Sequence, residues 1–274
     1  MASVPSEFPM NTPAYPAHGP MPADGPKVRP AATVIVFRNC PNGGPPELLM
    51  VQRAREMRFA GGSAVFPGGA IDPSDRELAG RLLPHEDPEV AAARIGGIRE
   101  TLEETGLVIG TRDPVSGDEA AQARAMLLEG GALAPVLDRY GWTLEPERLT
   151  LFAHWCPPID RAFDTRFFVT DLGTGAVDIK VDATENTRLF WASARRVIEL
   201  ADAGEISVIF PTRRNIDRLA LFGGFDEALE QIERHPVSRI CARIEERDGE
   251  KWLSIPDGHG YPVLSEAMET AVRG

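Results

Sequence analysis

Residues 87–107 constrain the chain more than any other stretch, because they can form only one kind of helix. Asp87-Pro88 supplies an N-cap with proline at the first helical position, and Gly106 supplies the stop. On that helix Glu100, Glu103 and Glu104 stand at i, i+3 and i+4, so three carboxylates leave one face. Ile95, Ile98 and Leu102 line a different face, which predicts that the helix is pinned to a core. Gly96-Gly97 in the middle costs up to ~2 kcal/mol relative to alanines, so close packing against a sheet is expected there. Like charges at this spacing repel, and a hard cation taking oxygen ligands would turn that cost into a gain. Taken alone, the pattern also fits a solvated acidic face.

Around this helix the chain alternates strand and turn chemistry. Thr33 to Phe37 is β-branched and apolar, Asn39 to Pro46 is turn-forming, and Glu47 to Arg53 reads as a second strand, making a hairpin. A glycine-punctuated stretch from Gly61 to Gly69 follows. Further strands are expected at Leu149–Cys156, Thr165–Val169 and Arg188–Trp191. Helices are expected from Ser193 to before Gly204, from about Thr212 to Leu221 and from Asp226 to about Arg234. Ile240–Ile255, broken by Asp248-Gly249, reads as a closing hairpin. This order suggests an α/β sandwich around a mixed sheet rather than a doubly wound parallel one. Seven of the 24 prolines fall in residues 1–28, which read as a disordered tail, with order expected near Ala32.

Composition narrows the function classes. With 29 Lys+Arg against 41 Asp+Glu, the net charge of −12 opposes non-specific binding to nucleic acid or anionic membrane. Any phosphate-bearing ligand must be met by local arginines or a bound cation. No apolar run approaches the roughly 20 residues of a membrane span, and no secretory signal pattern opens the chain. Cys40, Cys156 and Cys241 form no CxxC pair, which fits a reduced, cytoplasmic compartment without a zinc site. His85 and His154 lack a partner at ligand spacing and read as structural or exposed.

The stretch Arg99-Glu100-Thr101-Leu102-Glu103-Glu104-Thr105-Gly106-Leu107 resembles the second half of the Nudix box, G-x5-E-x7-R-E-U-x-E-E-x-G-U. Thr101 stands where that pattern has its aliphatic residue, and Leu102 follows one place later. Phe66-Pro67-Gly68-Gly69 looks like the start of the box, but 29 residues separate Gly69 from Arg99, sixteen more than the pattern has. The position eight before Arg99, where the first glutamate is expected, holds Ala91. Upstream, Leu49, Met50, Val51, Arg53, Ala54, Arg58, Gly62 and Phe66 to Gly69 are similar to the pattern of the coenzyme A diphosphatases in that superfamily. The long insert resembles their peroxisomal branch and its bacterial relatives.

The resemblance implies a Nudix-like α/β/α sandwich over residues 29–274, with an insert at about 72–87 and a C-terminal extension of helices and a hairpin. It implies Mg²⁺- or Mn²⁺-dependent hydrolysis of a small-molecule diphosphate, coenzyme A or acyl-coenzyme A above others, and it admits a homodimer. Glu100 and Glu104 would be the principal metal ligands, and Glu103 a third ligand or water-organising group. Arg99 would orient a neighbouring glutamate, and Glu185 would be the general base from a later loop. Arg53, Arg58 and Arg166, with Gly68 and Gly69, would meet the substrate phosphates. Two other readings stay open: hydrolysis of ADP-ribose or another nucleoside diphosphate derivative, and a non-catalytic nucleotide-binding domain with a degraded box.

Overall fold

The computed structural model describes residues 27–54, 60–156, 163–173 and 186–271. The expected tail therefore lies outside them apart from Lys27 and Val28, as do Arg58 and Glu185. The chain forms β1 (Arg29–Arg38), β2 (Glu47–Arg53), β3 (Ala64–Val65), β4 (Gly68–Ala70), α1 (Pro73–Leu82) and α2 (Pro88–Thr105). Next come α3 (Gly117–Gly130), α4 (Leu133–Tyr140), β5 (Thr150–Trp155), β6 (Phe163–Asp171) and β7 (Asn186–Ala192). The remainder is α5 (Ala194–Asp202), α6 (Phe210–Leu219), α7 (Phe225–Arg234), β8 (Arg239–Ile240), β9 (Arg243–Arg247), β10 (Glu250–Ser254), β11 (Ser265–Ala267) and α8 (Met268–Ala271).

The main sheet is mixed, in the order β3-β2-β1-β6-β5-β8, with β7 on β2 and β4 on β1. On one edge β1 runs parallel to β6 over its whole length, from Arg29↔Phe163 to Phe37↔Asp171. Its other edge is divided. The expected hairpin pairs only at Phe37↔Leu48 and Arg38↔Glu47, and β4 takes the amino-terminal half at Ala31↔Ala70, Ala32↔Gly69 and Thr33↔Gly68. Between these contacts β2 diverges to pair with β3 and β7. This split opens the sheet where the glycine stretch enters it.

Two apolar layers hold the sheet. Ala32, Val34, Val36 and Phe168 pack under α1 to α4, while Ile35, Phe37, Phe152, Phe167 and Val169 pack against the α5–α7 side. The alternation along β1 and β6 dictates this, since successive strand side chains face opposite ways. The result is an α/β/α sandwich with a separate β9–β10–β11 sheet at the carboxyl end. The buried Arg218 ties that extension to the main sheet: it donates to Phe152 O at 3.2 Å and to Gln231 Oε1 at 2.8 Å, and it lies over the Tyr261 ring.

Helix α2 follows its sequence signals. Asp87 accepts from the amides of Glu89 and Val90 at 3.0 Å, and Gly106 takes the left-handed conformation at φ 72°. Ile95, Ile98 and Leu102 are buried. The glycine pair also has its reason: a Cβ on Gly97 would stand 2.8 Å from Val34 Cγ2, and one on Gly96 would stand 3.1 Å from Asp75 Oδ2. Helices α1, α3 and α4 have no counterpart among the sequence expectations. We predict that Gly97→Val lowers the unfolding free energy by ~1–3 kcal/mol, as overpacking does, measured by urea denaturation. Gly80→Ala, with nothing within 4 Å of its added methyl, should be neutral or stabilising.

Candidate active site

The site is built where α2 crosses the amino-terminal half of β1 and the β4 strand beside it. Gly69 pairs with Ala32, so both would present side chains to the α2 face, and a Cβ on Gly69 would land inside the Glu100 carboxylate. One turn on, Glu104 Oε2 accepts from the Gly68 amide at 2.9 Å. A Cβ on Gly68 would collide with the Ala32 carbonyl oxygen, so both glycines are needed for this approach. Arg53, at the end of β2, places Nη1 3.7 Å from Glu104 Oε1. Two carboxylates, two glycines and one arginine of the sequence expectation thus meet at one place.

Glu103 is turned elsewhere. Its Oε2 accepts from Arg99 Nη1 at 2.8 Å, and the same nitrogen donates to Glu100 Oε1 at 3.0 Å. Arg99 itself is 3% exposed, so its ion pairs are buried ones. Its main partner is Asp75 of α1, 1% exposed, which accepts from Nε and Nη2 at 3.0 Å each. Arg99 Nη2 also donates to Ala70 O at 2.8 Å, tying β4 to α2, and the Asp72 amide donates to Asp75 Oδ2 at 2.8 Å.

Asp75 is the residue that sequence reasoning missed. Counted back from Arg99, the first acid of the box falls on Ala91, which is buried in the apolar core. Counted forward from Gly69, the sixth residue is Asp75. The extra residues therefore enter after this acid, between Asp75 and Arg99, and the helix α1 that carries it packs on α2. Asp75 makes the buried contact with Arg99 that Ala91 cannot make. The forward count was available in the sequence. Nothing local marked it as the right one.

Electrostatics follow from this burial. Loss of solvent pushes the Glu100 carboxyl up to about 8; Arg99 opposes the rise, while Glu103 and Glu104 add to it. Glu103 is raised chiefly by burial too, against Arg99. Among the described residues, no three His, Cys, Asp or Glu side chains form a ready-made cage for an ion. The grouping is a carboxylate pair, Glu100 and Glu104, against one strand.

Arg166 stands further along the same face. Ala32 pairs with both Gly69 and Arg166, Arg166 pairs with His154, and His154 pairs with Arg239. Arg166 Nη1 lies 3.4 Å from Asp164 Oδ2, while Asp164 Oδ1 lies 2.6 Å from His154 Nε2. Arg166 is thus two strands from Gly69, in a buried ion pair. Burial holds His154 below its usual pKa in spite of Asp164, so the neutral ring donates Nε2–H to that carboxylate. His85 is exposed.

Comparisons with known proteins bear on the family and the fold. No protein-family model matches the chain. A crystal structure of a NUDIX hydrolase from Alicyclobacillus acidocaldarius is 31% identical, covers 75% of this chain and 96% of its own, and superposes with a TM-score of 0.64. The chain belongs to the Nudix hydrolase family. Among curated proteins, acyl-coenzyme A diphosphatase NUDT19 from Gallus gallus is 25% identical over 78% of this chain and 76% of its own length.

Two outcomes test the site. Asp75→Ala should cost ~3–5 kcal/mol by urea denaturation, since it strands a buried guanidinium; Ala91→Glu should destabilise as well, giving no rescue. Glu100 binds its proton more tightly in the fold than in the unfolded chain, so its contribution to stability falls as pH rises from 4.5 to about 8. In chelator, Glu100→Gln should therefore melt higher than the wild type, by a margin that widens across that pH range.

Proposed function

We propose that this chain is a divalent-metal-dependent diphosphate hydrolase whose substrate is coenzyme A or an acyl-coenzyme A. The observation that carries the reading is the convergence of Glu100 and Glu104 on the Gly68-Gly69 strand. The similarity to an acyl-coenzyme A diphosphatase over three quarters of both chains supports the substrate class.

The donor set fits Mg²⁺ or Mn²⁺. Two carboxylates packed together, one of them, Glu100, driven toward protonation by burial, are a costly arrangement that a hard cation relieves, and such cations use few protein carboxylates beside water and substrate phosphates. Glu100 and Glu104 would hold the ion. When bound, it neutralises diphosphate charge and lowers the pKa of a coordinated water. Arg99 fixes Glu100 and Glu103 through one nitrogen, so the acidic face is set before substrate arrives. Glu103, its carboxyl made more basic by burial, is the group suited to take a proton from the attacking water; Glu185, outside the described residues, is the second candidate. Arg53 offers positive charge beside Glu104, and the backbone at Gly68 and Gly69 admits a phosphate closely because no Cβ intervenes. Arg58 also lies outside the described residues, and its phosphate role rests on the sequence pattern. Arg166, held by Asp164, would meet a more distant part of the substrate.

The three cysteines, none of them in a disulfide, accord with a reducing cytoplasm. Among the described residues no helix is long and apolar enough to cross a membrane. The net charge of −12 favours a small-molecule partner over nucleic acid. A homodimer is read from the family alone.

The test is incubation with Mg²⁺ or Mn²⁺ and a panel of coenzyme A, acyl-coenzyme A, ADP-ribose and NADH, with products identified by mass. Release of 3′,5′-ADP and the phosphopantetheine fragment from the first two is expected, and Glu104→Gln should lower that rate at least ~100-fold. Turnover of ADP-ribose in preference would replace the substrate assignment. Silence across the panel would sink the metal-dependent mechanism.

A further inference from the structure

We infer that Cys241 is a site of oxidative modification by peroxides, and that Cys156 resolves it into a reversible disulfide. Neither residue belongs to the hydrolytic site. The edge strand β8 runs parallel to β5, with His154↔Arg239 and Trp155↔Ile240 in register. The Cys156 amide donates to Ile240 O at 2.9 Å, so the pairing continues one residue past both strands and sets Cys156 beside Cys241. Neighbouring strands lie ~4.8 Å apart, which falls within the roughly 4.4–6.8 Å between Cα atoms that a disulfide spans. The two thiols hydrogen-bond to each other. Cys156 is buried, and Cys241 is half-buried and open to a small oxidant.

The surroundings divide the roles. By donating to the Cys241 sulfur, Cys156 is held up as a thiol, while Cys241 is held below its ordinary range. Burial opposes that lowering, and the positive charges of Arg239 and Arg243 reinforce it. Of the two, Cys241 is thus the more readily ionised sulfur and the nucleophile, and Cys156 is the proton donor. The Cys241 sulfur attacks one peroxide oxygen; an S–O bond forms, the O–O bond breaks, and the leaving hydroxide takes up the proton that the Cys241 thiol released on ionising, becoming water. The Cys156 sulfur then attacks the Cys241 sulfenic acid. An S–S bond forms, the S–O bond breaks, and the Cys156 proton leaves with the departing hydroxide as water. Two thiols are oxidised and one peroxide is reduced.

Cys40 follows β1 at the opposite end of the sheet, so it offers no competing partner. The bridge would join β5 to the edge strand, next to the Arg166–Asp164–His154 row.

The experiment is treatment of the full chain, in a Cys40→Ser background, with equimolar hydrogen peroxide, followed by alkylation and peptide mass analysis. Expected is a Cys156–Cys241 linked peptide, with two hydrogens lost, that dithiothreitol reverses. The thermal midpoint should rise on oxidation and return on reduction. Cys156→Ser should instead accumulate sulfenic acid on Cys241, trapped by dimedone, whereas Cys241→Ser should leave Cys156 unoxidised. Two free thiols after treatment would overturn the proposal. So would oxidation of Cys156 in the Cys241→Ser protein, or irreversible sulfinic acid on Cys241 with no linked peptide.

Discussion

The contact between Arg99 and Asp75 organises everything around the acidic helix. It joins α1 to α2, reaches the β4 carbonyl at Ala70, and holds two of the three box glutamates through the guanidinium's remaining nitrogen. A buried ion pair is seldom a large net source of stability, because desolvation offsets most of the attraction. Its value here is geometric. Five fixed donors in one plane let a single side chain set the positions of a strand, a second helix and two carboxylates.

That organisation explains how the fold tolerates a cluster it would otherwise reject. Glu100, Glu103 and Glu104 gain little from each other, and burial drives at least two of them toward their protonated forms. The strain is accepted at the one place where a cation and a polyanionic substrate would relieve it, a familiar exchange of stability for function. The backbone contributes as much as the side chains. Gly68 and Gly69 bring the strand against both carboxylates, and Gly97 lets the helix approach Val34 closely enough for this to happen. The acidic character of the whole chain is therefore compatible with the proposed acidic substrate, since the negative charge at this point is where the proposed cation would sit.

Away from the carboxylates, the same sheet face carries a second polar row through Arg166, His154 and Arg239, with Asp164 bridging the first two. Asp164, Arg166 and Arg239 are buried. The neutral His154 donates to the charged Asp164, which also faces Arg166. Cys156 and Cys241 lie at its outer end, where one strand edge meets the carboxyl-terminal extension.

Much of this was legible in sequence where the signals are local. The boundaries of α2, its capping by Asp87 and Gly106, the strand Glu47–Arg53 and the cap at Ser193 follow from residue chemistry within a few positions. The meeting of Glu100 and Glu104 with Gly68 and Gly69 was anticipated only through the family resemblance, since it joins distant segments by a tertiary contact. Three things required the fold. The partner of Arg99 lies on a helix whose register across the inserted residues no local pattern specifies. The first strand turns out to pair chiefly with β6 and β4 rather than with its hairpin neighbour, a choice made by long-range burial. The cysteines, 85 positions apart, become neighbours only through the parallel register of β5 and β8. By itself the sequence determined the carboxylate-bearing helix, since its caps and spacing are short-range geometry; the packing of distant segments alone decided that Gly68–Ala70 pairs with β1 as a strand, how Arg99 is anchored and which thiols can meet.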